Sequence, residues 1–115
     1  MLDKKLQLKE GYTVALVDAP VYLPLVAIPA NLATADALLV FVATQADLAR
    51  HLGILQTAAR QERLVWIAYP KAKQLSTDLN RDILREFVNE HGLDPVRQIA
   101  LDDIWSGMRL KLLAE

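Results

Sequence analysis

Apolar residues along this chain gather into short unbroken runs, and most runs are followed by a polar segment of helical period or by proline. Thr13–Val17 is one such run, β-branched and apolar after Gly11, and it reads as a strand buried on both faces. Pro20, Pro24 and Pro29 break the next stretch, which leaves room only for a short helix over residues 22–27. Residues 37–42 are again apolar without alternation and predict a second strand. From Thr44 onward Leu48, Leu52, Leu55 and Ala59 fall on one stripe and predict a helix. Thr44 with Asp47 three residues on is a variant of the capping box, while Gly53 inside the helix costs about 1 kcal/mol against Ala.

Residues 64–69 form a third run, stopped by Pro70. A polar loop leads to a helix whose inner face carries Leu79, Ile83, Leu84, Phe87 and Val88. It ends at His91 and Gly92, where glycine can take the left-handed conformation that closes a helix. Residues 96–101 predict a fourth strand and residues 108–112 a fifth, in which Met108, Leu110 and Leu112 alternate with Arg109 and Lys111. The intervening segment is short enough for a hairpin, so the last two strands should run antiparallel.

Strands alternating with single helices call for right-handed parallel crossovers. The expected fold is a small Rossmann-like, three-layer α/β domain spanning residues 1–115. Its expected sheet has five strands, is mostly parallel, follows the order 1-2-3-5-4, and has an antiparallel last strand and an outermost first strand.

Composition narrows the function classes. Hydrophobic residues make up 53% of the 115 positions, so some apolar surface should meet a partner chain, and a homodimer is expected. Lys plus Arg (13) nearly balances Asp plus Glu (14), which argues against nucleic acid and anionic membranes as partners. The chain has no Cys and only two His, forty residues apart, so no metal site is expected. Lys4, Lys5 and Lys9 precede no apolar core, and no apolar stretch approaches the about 20 residues that span a bilayer. A cytoplasmic location is the expectation.

Three stretches carry a family likeness: Tyr69-Pro70-Lys71, Thr77-Asp78-Leu79-Asn80-Arg81-Asp82, and Asp102-Asp103-Ile104-Trp105-Ser106 followed by Arg109. Together they resemble the DUF3052 family of small proteins, over most of the chain from about Leu8 to Lys111. The resemblance implies a class I methyltransferase-like Rossmann frame, with its second half joined directly to the first strand, and it implies no assigned activity.

A dinucleotide or methyl-donor site needs glycines after the first strand, so that the backbone can approach the ligand. Asp18-Ala19-Pro20 stands there instead, and Pro20 lacks the N–H an anion site would use. No cofactor is therefore expected. Asp18 reads either as a cap for a short helix or as a partner for a ligand hydroxyl. The loop over residues 70–82 leaves the carboxyl end of a central strand, where ligands of open sheets bind. Lys71, Lys73, Ser76 and Thr77 could clamp an anion there, with Asn80 and Arg81 at the start of the following helix. The alternative is that Thr77 or Asp78 caps that helix and the lysines are merely solvated. Trp105 and Arg109 could stack and fix a planar ligand, or Trp105 could cover the sheet edge while Arg109 pairs with Asp102 or Asp103. His51 reads as a surface partner of Asp47, and His91 as a residue favoured by its helix terminus. No nucleophilic triad is present, and no catalytic residue is expected. Two functions remain: a non-catalytic interaction or oligomerising module, or a binder of a small anionic ligand at the residue 70–82 loop, with an enzyme less favoured.

Overall fold

Runs that stay apolar at every position become the interior strands of one sheet. The computed structural model describes residues 2–72 and 74–114. Its elements are α1 (Leu2–Lys5), β1 (Thr13–Val17), β2 (Ile28–Pro29), β3 (Ala37–Phe41), α2 (Gln45–Arg60), β4 (Leu64–Pro70), α3 (Arg81–Glu90), β5 (Leu93–Ala100) and β6 (Trp105–Leu112). The strands lie in the order β2-β1-β3-β4-β6-β5. The first three neighbouring pairs are parallel, whereas β4 with β6 and β6 with β5 are antiparallel. Every residue of β3 and β4 is buried, which is why neither alternates in sequence.

The expectation of five mostly parallel strands is thus corrected to a mixed sheet of six. The five expected strands keep their order, and the addition is β2, whose two residues are too few to show a period. By pairing with Thr13 and Val14, β2 also displaces β1 from the extreme edge. Beyond Val14, no strand of the described residues lies on that side of β1. No helix forms over residues 22–27. The three prolines hold this segment irregular, and Leu23 and Leu25 turn onto the sheet instead.

Helical cover is unequal, with α2 and α3 on one face and only the single turn of α1 on the other. Leu48 and Leu55 of α2, with Leu84 and Val88 of α3, pack against Val40, Ile67, Met108 and Leu110 on one face. Leu39, Phe41, Trp66 and Ala68 line the other face, beneath the single turn of α1 and irregular chain. Two polar ties hold that cover down. The Trp66 indole N–H donates to the Leu6 carbonyl at 3.0 Å, fixing the N-terminal segment to the centre of the sheet. The Asp3 carboxylate accepts the Val26 N–H at 3.0 and 3.1 Å and the Ala27 N–H at 2.9 Å, joining the two irregular segments. A Cβ at position 107 would press on the Ile99 side chain at 3.3 Å and touch the Trp66 ring at an ordinary 3.4 Å, so glycine there relieves the Ile99 contact. Among the described residues no helix is long and apolar enough to cross a membrane.

Replacing Trp66 with Phe retains most of the apolar burial and leaves the Leu6 carbonyl without its donor. The expected loss is about 1–3 kcal/mol, read as a lower urea midpoint at unchanged slope. An unchanged midpoint would mean that the tie contributes nothing.

Candidate functional site

Ligands of open α/β sheets bind beyond the carboxyl ends of the strands, where the strand order reverses. Here that point lies between β1 and β3, because the chain leaves β1 for β2 on one side and returns to β3 on the other. Asp18 follows β1 with φ at 56°, a left-handed conformation that Asp tolerates better than most side chains. Its Oδ2 lies 2.8 Å from His51 Nε2 and 3.6 Å from Arg50 Nη2. Arg50 also reaches Asp47 at 3.1 Å. The expected surface pair of His51 with Asp47 is therefore corrected: His51 is buried and turns to Asp18, and Arg50 takes Asp47. Asp18 caps no helix, because none follows it.

The N-terminus of α2 opens at the same point and would favour an anion through its free N–H groups. The chain supplies the anions itself. Thr44 accepts the Asp47 N–H at 3.1 Å, and the Asp47 carboxylate accepts the Ala43 N–H at 3.0 Å. From the loop after β4, Asp78 Oδ1 accepts the Gln45 N–H at 2.8 Å, and the Gln45 amide returns a bond to the Asp78 carbonyl. The neighbouring Thr77 hydroxyl donates to the Ala43 carbonyl and accepts the Leu79 N–H. Two carboxylates thus occupy a helix start where a phosphate would otherwise sit. The Ala43 N–H, with Arg50 beside it, holds the Asp47 carboxyl below its usual value against the opposing effect of burial.

The candidate residues of the residue 70–82 loop divide. Lys71, Asn80 and Arg81 share one open cleft of about 400 Å³ with Tyr69, Gln98 and Ser106. Asn80 is the cap of α3, accepting the Ile83 N–H at 2.9 Å, so neither Thr77 nor Asp78 performs that role. Arg81 lies 3.6 Å from Asp82 on the exposed side. Lys73 lies outside the described residues. Ser76 precedes Thr77 with φ at 53°, and the Thr77 hydroxyl is spent on the bonds to Ala43 and Leu79. Burial raises the pKa of Tyr69, with Arg81, Ser106 and Arg85 pulling it back, and its hydroxyl accepts the Gln98 amide at 2.8 Å. Gln98 escaped the sequence analysis because it reads as an ordinary strand position, and Tyr69 and Ser106 entered it only through the family likeness.

Trp105 and Arg109 belong elsewhere. Trp105 is opposite Pro70 in the ladder and Arg109 is opposite Trp66, so they lie toward opposite ends of β4 and form no common clamp. The Trp105 ring is buried edge-on to Phe41, with centroids 5.1 Å apart. Arg109 Nη1 donates to Gln7 Oε1 at 2.6 Å instead of pairing with Asp102 or Asp103. Asp102 closes the hairpin by accepting the Ile104 and Trp105 N–H groups. His91 lies at the end of α3, stacked on Phe87, with Nδ1 2.8 Å from the Phe87 carbonyl.

A second surface lies along the outer side of β1. An apolar groove of about 600 Å³ runs between β1 and the segment that includes β2, and no charged residue lines it. Leu16, Val21, Tyr22, Val26 and Ile28 are all exposed there, Tyr22 by 87% and Val26 by 73%. The opposite edge of the sheet differs in kind. β5 carries Pro95, an irregularity in the ladder between Pro95 and Arg97, and the charges of Asp94 and Arg97, all of which discourage strand addition. Neither protein-family models nor curated proteins give a match to this chain.

Two outcomes test the α2 cap. Asp78→Ala is expected to destabilise the protein by about 1–2 kcal/mol in urea unfolding, as loss of a helix cap does. For Asp47 the folded pKa lies below the usual 3.8. Its ionised form therefore favours the fold above that pH, and the contribution is lost as pH falls through the lowered value. The stability gap between the wild type and Asp47→Asn is accordingly expected to narrow below about pH 4. A gap constant down to about pH 2 would contradict the assignment.

Proposed function

We propose that this chain is a non-catalytic, Rossmann-like interaction module that pairs with a second copy of itself along the outer side of β1. The observation that carries the reading is the coincidence, at one place, of a strand edge without a partner beyond Val14 and an uncharged groove with exposed apolar residues. An edge exposes N–H and C=O groups in a row, and an antiparallel copy of the same edge answers them donor for acceptor. A two-fold axis brings each side chain near its own duplicate. Any charge in such a patch would meet itself, so a lining without charges suits a self-contact. The net charge of −1 adds little repulsion between copies.

The start of α2 supports the non-catalytic part of the reading. Asp47 and Asp78 already take N–H groups there, and a nucleotide phosphate would have to displace a carboxylate and overcome its repulsion.

A second reading keeps the cleft beside Tyr69 as a site for a small anionic ligand. It is favoured by one observation, that Lys71 and Arg81 border the same cleft as Asn80 and Ser106. Under it, Lys71→Ala and Arg81→Ala leave folding intact and abolish a thermal shift produced by inorganic phosphate.

Leu16→Glu and Ile28→Arg each place a charge against its own copy. In sedimentation equilibrium the wild type is expected to be a dimer and both variants monomers with unchanged circular dichroism. A wild type that stays monomeric up to about 1 mM, where even weak pairing is visible, would sink the dimer.

A further inference from the structure

Arg109 is a half-buried cation to which the described residues offer no ion-pair partner. Its one hydrogen bond among them goes to the neutral amide of Gln7. The Nε–H is buried without an acceptor, and Nη2 finds none within the described chain. Directly across the β5–β6 ladder stands Arg97. A donor left unmade and like charges face to face both disfavour the fold. A single anion relieves both.

Space for one lies alongside. Arg109 borders a cleft of about 680 Å³, near the start of β4 and roofed by the N-terminal segment, with Gln7, Lys9, Tyr12 and Thr34 among its walls. Lys9 adds a second positive charge. The other groups there are engaged or opposed: Arg63 is spent on the carbonyls of Leu32 and Ala35, and Asp36 on the backbone and hydroxyl of Thr13. Glu62 lines this cleft and shares a neighbouring one with Arg109 and Lys111, so an anion held there by Arg109 and Lys9 has to outweigh the repulsion of that carboxylate.

We propose that this cleft holds a small oxyanion, a carboxylate or a phosphate, on the Nε–Nη2 edge of Arg109 with Lys9 as the second cation. That edge presents two parallel N–H groups, which match two oxygens of one carboxylate or phosphate. Because Nε is covered, the second contact requires the guanidinium to rock toward the cleft, a movement resisted by the bond to Gln7. The site is separate from the groove along β1 and lies toward the other end of β4 from the cleft of Lys71 and Arg81.

The buried Arg109 Nε–H should be visible in a nitrogen-15 correlation spectrum of the full chain, which can be titrated separately with inorganic phosphate and with succinate. The expected result is a saturable movement of that signal with at least one of them. Arg109→Lys, which keeps the charge and loses the fork, should weaken binding by about tenfold or more, while Arg81→Gln leaves it unchanged. Movement with phosphate alone assigns a phosphate, and with succinate alone a carboxylate. If the arginine variant does not fold, Lys9→Ala in its place should weaken binding several-fold. An Nε–H signal unmoved by either anion would overturn the proposal, as would binding abolished by Arg81→Gln and retained in Arg109→Lys.

Discussion

The fold depends on the way the helix-poor face of its sheet is closed. Leu39, Phe41, Trp66 and Ala68 are too apolar to face water, and no long helix crosses over them. Their cover is chain without regular hydrogen bonding, and such chain stays in place only where specific groups hold it. The Asp3 carboxylate does so for two backbone N–H groups after the proline-rich segment, and the Trp66 indole for the Leu6 carbonyl. One charged and one neutral contact thereby replace the continuous ladder that a helix would have brought. The position of β2 follows from them, because Val26 and Ala27 lead directly into Ile28.

The same economy of local groups decides the chemistry at the carboxyl ends of the strands. A helix start beside a strand-order reversal is the place where this class of sheet usually meets a ligand. In this chain the place is knitted shut by Asp47, Thr77 and Asp78, and the loop after β4 is joined to the loop after β3. His51, Arg50 and Asp18 continue the network on the other side. Of the residues that look like a site in sequence, Thr77 is spent on this join, Lys71, Asn80 and Arg81 border the cleft beside Tyr69, and Trp105 and Arg109 lie elsewhere on β6. Open clefts remain beside Tyr69 and, toward the other end of β4, beside Arg109.

Much of the sheet was legible because its inner strands are apolar at every position, a signal that survives without knowledge of the partner strand. The expected order with an antiparallel last strand already set that strand between the third and the fourth, the place that β6 takes between β4 and β5. β2 and α1 were not legible: two residues and one turn are shorter than any period, and tertiary contacts hold both. At the candidate site the loop itself was legible from its place after β4, but the division of its residues was not. Whether Thr77 faces a cleft or a carbonyl depends on a backbone 34 residues away. Trp105 and Arg109 looked like neighbours because they are four apart in sequence, yet on an extended strand four residues span about 13 Å.

The two sides of the sheet are not equivalent. On the β5 side a proline, a break in register and two charges discourage another strand, while beyond Val14 no strand of the described residues covers β1. A molecule with two welcoming edges can be extended indefinitely, as fibrils are. One with a single welcoming edge uses it up in the first encounter, so the pairing proposed above would end at two copies.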